Sequence, residues 1–176
     1  TLLNFFTGYI EKKNPNKQKL FTIAIDNNDE YFATAGNIKD NLNNNSIIRI
    51  FDINTGKIVK NLEVDNKNIS RLEFTKDGKY LISSGKNIII WDAKTYEKIK
   101  TIEMNNFINA FKTINENLIA GDTKGNIFII SLKDNQILKQ SSFSNVRDGE
   151  ILRIESNGKD IIFERGYYSF LTDFGL

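Results

Sequence analysis

The sequence has no histidine and no cysteine among its 176 residues, and it has a single proline. The lack of histidine removes the commonest general base, the commonest metal ligand and the usual partner of serine or cysteine in nucleophilic pairs. The lack of cysteine excludes disulfides and thiolate metal sites, and it leaves the redox compartment undetermined. We therefore expect a protein that is not an enzyme and that has no catalytic residues, no metal site and no cofactor.

A strong charge excess and long apolar runs are also missing. Lysine and arginine number 24 against 22 acidic residues, and the net charge of +2 is too balanced to predict binding to nucleic acid. No apolar run approaches the roughly 20 residues of a membrane helix, so we expect no membrane insertion. Residues 1–6 lack the basic leader of an intact signal peptide. We expect a cytoplasmic location, with the periplasm or secretion as alternatives if a signal peptide is missing from the sequence.

Several carboxylates lie in predicted turns, at Asp26, Asp29, Asp77, Asp134 and Asp148. Aspartates in turns usually cap the backbone or are solvated, which argues against catalytic roles. Residues 26–29 and 122–125 resemble calcium loops, but neither has the alternating ligands and the closing glutamate of such a loop. The lysines within residues 9–19 are interpreted as the solvated face of an outer strand and of the loop that follows it.

What the sequence does contain is a repeated pattern, clearest in residues 88–92, where three isoleucines precede Trp91 and Asp92. β-Branched residues followed by an aromatic, and bounded by glycine and turn residues, predict a buried strand. Similar runs occur at residues 47–52, 127–131 and 168–173. The first of these runs ends in Phe51 and Asp52 and lies about 40 residues upstream, a spacing typical of repeat arrays.

Each repeat is predicted to contain four antiparallel strands. In the clearest copy, the strands are residues 69–75, 80–84, 87–92 and 98–103. The Asp77–Gly78 pair supplies the positive φ of a tight turn between the first two strands. The whole chain is then one domain. It divides into a partial unit at 1–14, whole units at 20–64, 69–103 and 108–140, and a partial unit at 150–174.

A glycine closes the second strand of every repeat, at Gly36, Gly85, Gly121 and Gly166. Glycine is expected where a hairpin turns with positive φ or where two backbones approach closely. The alternative is chance placement of a common residue. Four occurrences in the same register favour a structural role for these glycines.

These features resemble the WD-repeat β-propeller family. Trp91–Asp92 is the one full Trp-Asp dipeptide and Phe51–Asp52 is a conservative variant, whereas the Gly-His dipeptides of the family are absent. The resemblance implies an all-β fold of about four four-stranded antiparallel blades, in an incomplete or truncated ring. Without histidine, the family's His–Ser/Thr–Trp–Asp network cannot form, so we expect apolar packing around Trp91 to dominate. Asp52 and Asp92 are expected to cap the turns that follow them.

The resemblance also implies a function. We expect a non-catalytic scaffold that presents propeller loops to partner proteins, and a second copy of the chain is a further candidate partner that would complete the ring. The alternative is the propeller domain of a larger enzyme or sensor whose catalytic part lies outside this sequence. The loops between second and third strands and between successive repeats share one face in a propeller. They provide the candidate partner-binding residues Lys86, Phe107, Lys124, Phe143, Arg147 and Arg165. For the phenylalanines, packing inward is the alternative, and for the arginines it is simple solvation.

Overall fold

The computed structural model describes residues 19–37, 46–64, 68–142, 149–156, 161–165 and 168–172, and within these ranges it contains strands and no helix. The first eight strands are β1 (Lys19–Ile25), β2 (Tyr31–Asn37), β3 (Ser46–Asp52), β4 (Ile58–Val64), β5 (Ile69–Phe74), β6 (Tyr80–Gly85), β7 (Ile88–Asp92) and β8 (Lys98–Ile102). The remaining strands are β9 (Ile108–Ile114), β10 (Asn117–Asp122), β11 (Asn126–Ser131), β12 (Gln136–Ser142), β13 (Ile151–Ser156), β14 (Ile161–Arg165) and β15 (Tyr168–Thr172). The ranges described therefore include no helix that could cross a bilayer.

The strands form four antiparallel sheets in which neighbours in sequence are neighbours in space. Blade 1 is β1–β4, blade 2 is β5–β8, blade 3 is β9–β12 and blade 4 is β13–β15. Successive blades pack against each other, and the described blades do not close into a ring. The prediction of an all-β propeller with an incomplete ring is confirmed. The predicted partial unit at residues 1–14 lies outside the described residues.

The sequence pattern of each strand follows its place in the blade. The third strand of blade 2, β7, is buried at Ile88, Ile89, Ile90 and Trp91, because neighbouring blades cover both of its faces. The fourth strands β8 and β12 are largely exposed and accordingly mix lysine with isolated apolar residues. The continuous apolar runs at residues 88–92 and 127–131 are thus strands with two covered faces.

The hydrophobic core lies between the blades and is divided into three clusters. The first cluster joins Ile48 and Ile50 of blade 1 to Leu72, Phe74 and Trp91 of blade 2. The second cluster lies between blades 2 and 3 around Phe111, and the third lies between blades 3 and 4 around Phe163. Each blade is therefore stabilised mainly by the apolar area that it buries against its neighbours, as expected for repeat proteins.

Polar contacts also join the blades. The Thr22 hydroxyl accepts the backbone N–H of Leu72 at 3.1 Å, which links blades 1 and 2. Glu73 of blade 2 accepts hydrogen bonds from both the backbone N–H and the hydroxyl of Thr113 in blade 3. Asn109 donates to the Glu150 carboxylate at 2.7 Å at the junction of blades 3 and 4. These contacts set the relative position of neighbouring blades, which belong to separate sheets.

Candidate protein-binding faces

The connections between strands gather on two opposite faces of the array. We define the upper face by residues 86–87, 103–107 and 122–125, which join second to third strands or successive blades. Two of these segments touch, because the N–H of Thr123 donates to the carbonyl of Phe107 at 2.9 Å. The lower face contains the other turns, which connect first to second strands and third to fourth strands.

The structure places three of the candidate partner-binding residues on the upper face. Lys86 and Lys124 are exposed, and Phe107 is half-buried with its backbone fixed to the loop of Lys124. Arg165 is the last residue of β14, and only its backbone is described. Phe143 and Arg147 lie outside the described residues. The structure thus brings Phe107 close to the loop of Lys124, and Lys86 stands on the neighbouring blade.

A buried carboxylate organises the upper face of blade 3. Asp122 is fully buried, and its Oδ1 accepts the backbone N–H groups of Lys124 and Asn126 at 2.9 and 2.8 Å. Its Oδ2 accepts the side-chain amides of Asn106 and Asn126 at 2.8 and 2.7 Å. Four donors satisfy this carboxylate, so it holds the loop of residues 103–107 against the loop of residues 122–125. Sequence reasoning considered residues 122–125 as a poor calcium loop and as a candidate partner-binding loop, but it missed the structural role of Asp122.

Trp91 lies in the core between blades 1 and 2 and is 4% exposed. Its indole Nε1–H donates to the hydroxyl of Ser83 at 3.0 Å within the buried interior. The absence of histidine excludes the complete network of the WD-repeat family, but one hydrogen bond of that network is present. The prediction that the full network cannot form stands, and the hydrogen bond between Ser83 and Trp91 is a buried polar contact that sequence reasoning did not anticipate.

Phe51 occupies the position of Trp91 in blade 1. Its ring is buried and stacks on Phe32, with ring centroids 4.8 Å apart and planes inclined by 5°. A phenylalanine has no N–H to donate, so stacking on a neighbouring ring replaces the hydrogen bond seen in blade 2.

Asp52 and Asp92 both accept hydrogen bonds from the turn that follows the third strand. Asp52 Oδ1 accepts the N–H and the hydroxyl of Thr55 at 2.7 and 2.9 Å. Asp92 Oδ1 accepts the N–H groups of Thr95 and Lys94 at 2.7 and 2.9 Å. Hydrogen bonds to the ionised form lower the pKa of both carboxyls, with the backbone N–H of the threonine as the largest cause in each.

The four glycines do not share one position. Strand pairing aligns Gly36 opposite Leu20 and Gly85 opposite Ile69, whereas Gly121 pairs with Ala110, one position earlier in its blade. A Cβ at Gly85 would lie 2.1 Å from the carbonyl oxygen of Asn68. A Cβ at Gly121 would meet the side chain of Ile151 in blade 4 at 2.3 Å. Close approach thus requires glycine at both sites, but from different neighbours, and Gly166 lies outside the described residues.

The lower face contains a cleft of about 640 Å³ between blades 1 and 2. Its walls include Asp26, Tyr31, Tyr96 and the lysines Lys60 and Lys94. Burial raises the pKa of Tyr96 to about 12, and the nearby Tyr31 and Asp26 add to the shift. Sequence reasoning missed this cleft because its walls come from turns of two blades that are far apart along the chain.

A protein-family model described as a domain of unknown function, DUF5074, matches residues 8–170. The match covers most of the chain. The chain belongs to the DUF5074 family.

Curated relatives of this DUF5074 chain are WD-repeat proteins. The WD repeat-containing protein 55 homolog of Drosophila persimilis is 27% identical over 126 residues, which are 68% of this chain and 24% of that relative. The homolog of Drosophila melanogaster is 32% identical over 89 residues, which are 47% of this chain and 18% of that relative. The chain therefore spans about a quarter or less of the length of the curated relatives that it matches.

Solved structures agree on the fold. The computationally designed Ika4 protein superposes with a TM-score of 0.72 at 14% identity, covering 90% of this chain and 93% of that one. The Dos1 propeller superposes with a TM-score of 0.71 at 14% identity, covering 89% of this chain and 41% of that one. The DUF5074 chain is thus a WD-repeat-like β-propeller protein.

Proposed function

We propose that this DUF5074 chain is a non-catalytic scaffold that binds partner proteins through its upper face. The observation that carries the proposal is the buried Asp122 carboxylate, which ties two upper-face loops together with four hydrogen bonds. Loops that are ordered before binding lose less conformational entropy when a partner docks. Such loops on a rigid scaffold are the usual site of recognition in repeat folds.

The chemistry of the upper face suits a protein partner. Phe107 offers a half-buried aromatic ring, and Lys86 and Lys124 are exposed on loops of the same face. An aromatic anchor surrounded by polar groups is typical of protein interfaces, and the lysines favour an acidic surface on the partner. The sequence predicts that Phe143, Arg147 and Arg165 belong to the same face, and we include them in the proposal because side chains of these types form hot spots.

A second candidate function is that the chain is the propeller domain of a larger enzyme or sensor. The observation that favours it is the length of the curated relatives, of which this chain spans about a quarter or less. In that case the upper face would orient the propeller against a catalytic part of the same polypeptide. The two candidates differ in whether the partner is a separate protein.

The test compares binding by two matched triple variants of the full chain. The first variant removes the upper-face side chains by Lys86→Glu, Phe107→Ala and Lys124→Glu. The control makes the same kinds of change elsewhere, by Lys100→Glu, Lys133→Glu and Ile137→Ala, at exposed positions. Proteins captured by the wild-type chain are purified, and their Kd for each variant is measured by calorimetry.

The upper-face variant should weaken binding by roughly 30-fold or more, equivalent to about 2 kcal/mol, while the control stays within about threefold. Both variants should melt as the wild type does. The pair Phe143→Ala and Arg147→Ala should also weaken binding without a change in melting temperature. Equal binding by wild type and upper-face variant would overturn the proposal. Protection of the wild type against heat by a metal ion or a small molecule would favour the enzyme or sensor candidate.

A further inference from the structure

The pairing register identifies one position by which blades 2, 3 and 4 each pack against the blade before them. This position is on the first strand, and its occupants are Ile23, Leu72, Phe111 and Ile154, which pair with Thr34, Ser83, Ala120 and Phe163 of the second strands. In blades 2, 3 and 4 the residue is buried in the cluster shared with the preceding blade. In blade 1 the equivalent residue, Ile23, is 47% exposed. We call the face of a blade that packs against the preceding blade its insertion face. The insertion face of blade 1 is therefore exposed at Ile23.

A second position is where blades 1, 2 and 3 each pack against the blade that follows. It is on the second strand, and its occupants are Ala33, Ile82, Ile119 and Ile162. In blades 1, 2 and 3 this residue is fully buried, in the same clusters as Leu72, Phe111 and Ile154 respectively. In blade 4 the equivalent residue, Ile162, is 48% exposed. We call the face of a blade that packs against the following blade its receiving face. The receiving face of blade 4 is therefore exposed at Ile162.

Neighbouring residues enlarge both uncovered faces. Ile25 is exposed beside Ile23, and its equivalent in blade 2 is Phe74, which is buried against blade 1. Leu152 is exposed on blade 4, and its equivalent in blade 2 is Ser70, whose hydroxyl reaches the first strand of blade 3. Ile23, Ile25 and Ile162 are thus exposed at positions that are apolar and buried in other blades, and Leu152 adds an exposed apolar side chain where blade 2 has a serine.

We propose that the receiving face of blade 4 in one copy of the chain packs against the insertion face of blade 1 in a second copy. The contact would place Ile162 of one copy against Ile23 of the other. It repeats an arrangement that occurs three times within the chain, where Ala33 and Leu72, Ile82 and Phe111, and Ile119 and Ile154 are buried in the same cluster between two blades. Within one copy the contact is not made, because the described blades do not close into a ring.

The two faces differ, so the contact is head-to-tail rather than between identical patches. A head-to-tail contact made by two copies in both directions covers Ile23 and Ile162 of each copy, which favours a closed dimer over an open chain of copies. This association does not involve the upper face, and it is independent of the proposed scaffold function.

One residue of the receiving face opposes the contact. Glu164 occupies the position that Ala35, Ser84 and Gly121 occupy in blades 1, 2 and 3, where those small residues are buried. A carboxylate at this position must be desolvated or displaced when the faces meet. The contact should therefore be weaker than the internal ones, and Glu164→Ala should strengthen it.

The absence of cysteine allows a direct test by cross-linking. Ile23→Cys and Ile162→Cys are made in separate full-length chains, which are mixed and treated with a short bis-maleimide. Each chain then has a single thiol, so a product of twice the 20.2 kDa chain mass reports contact between copies. The control mixture replaces Ile162→Cys by Leu138→Cys, which is exposed on β12. A chain with both Ile23→Cys and Ile162→Cys shows whether the faces meet within one molecule.

The dimeric product should form at least tenfold faster in the Ile23→Cys and Ile162→Cys mixture than in the control mixture or with either variant alone. By sedimentation velocity, Ile162→Glu should raise the dimer dissociation constant at least tenfold and Glu164→Ala should lower it. Both sites are half-exposed, so circular dichroism melts should stay near those of the wild type. Cross-linking no faster than in the control would overturn the proposal. Efficient internal cross-linking of the doubly substituted chain at monomer mass would also overturn it, because the faces would then meet within one copy.

Discussion

The indole nitrogen of Trp91 and the hydroxyl of Ser83 are joined by a buried hydrogen bond of 3.0 Å across β6 and β7. Both residues are almost fully buried. A buried indole N–H without a partner would be costly, so the serine allows the tryptophan to lie in the core between blades 1 and 2. The ring contributes apolar area to that core, and the hydrogen bond fixes its orientation.

Trp91→Ala should destabilise the chain by about 3–5 kcal/mol, because it empties a large buried site between two blades. The free energy of unfolding from urea melts is the measurement. Trp91→Phe keeps most of the apolar volume and serves as the matched control, with a smaller loss. A loss below about 1 kcal/mol for Trp91→Ala would mean that the ring contributes little to the core.

Ser83→Ala should cost about 1–3 kcal/mol in the wild-type chain, because it leaves the Trp91 N–H buried without an acceptor. In the Trp91→Phe background there is no N–H to satisfy, and the same substitution should be nearly neutral. A double-mutant cycle from four urea melts gives the coupling energy between the two sites. A coupling energy near zero would show that the hydrogen bond makes no net contribution.

The order of strands in each blade could be predicted from the sequence because hairpins are local. The apolar runs at residues 47–52 and 88–92 mark third strands, and the turns between them contain glycine, asparagine or aspartate. The spacing of these runs then determines where blades begin and end. Strands that pair with their sequence neighbours require no information about distant contacts, so composition and spacing were sufficient.

The details of the candidate sites could not be predicted in this way. The Asp122 network depends on Asn106, 16 residues away, and on the burial of a carboxylate that sequence patterns assign to solvent. The lower-face cleft depends on Tyr31 and Tyr96 in different blades. Neither relationship follows a period of two residues or of one repeat. Such contacts are determined by how two blades pack, which the periodicity of one blade does not specify.

Alanine substitutions at Gly85 and Gly121 test two kinds of steric clash, one with backbone atoms and one with a side chain. Gly85→Ala should destabilise by about 1–3 kcal/mol or more, because the new Cβ would meet the backbone oxygen of Asn68, which cannot move freely. Gly121→Ala should also destabilise, because its Cβ would meet the Ile151 side chain. Free energies of unfolding from urea melts measure both effects.

The two sites should respond differently to a second substitution. Ile151→Ala removes two of the three atoms that crowd a Cβ at Gly121, so Gly121→Ala should cost less in that background than in the wild-type chain. The cost of Gly85→Ala should not change in the Ile151→Ala background, which makes it the matched control. Additive effects of Gly121→Ala and Ile151→Ala would contradict the close approach of blades 3 and 4 at this point.

The last prediction concerns alkaline pH and the lower-face cleft. Burial raises the pKa of Tyr96 to about 12 from an ordinary value of 10.0, and Tyr31 and Asp26 add to the shift. Because the folded-state pKa is the higher one, the contribution of Tyr96 to stability is fully present below pH 10. It is lost as the pH rises through about 12. The ionisation is measured by absorbance at 295 nm, as the difference between the wild type and Tyr96→Phe.

This difference should show a single phenol that titrates near pH 12. Asp26→Asn and Tyr31→Phe should each lower the pKa of Tyr96 only in part, because burial is the largest cause of the shift and neither substitution removes it. The difference in free energy of unfolding between the wild type and Tyr96→Phe should be smaller at pH 11 than at pH 7. The phenylalanine ring has no hydroxyl, so it has no ionised form that burial would penalise. A difference spectrum that titrates near pH 10 would show that solvent reaches the Tyr96 hydroxyl and that the wall of the cleft is open at this residue.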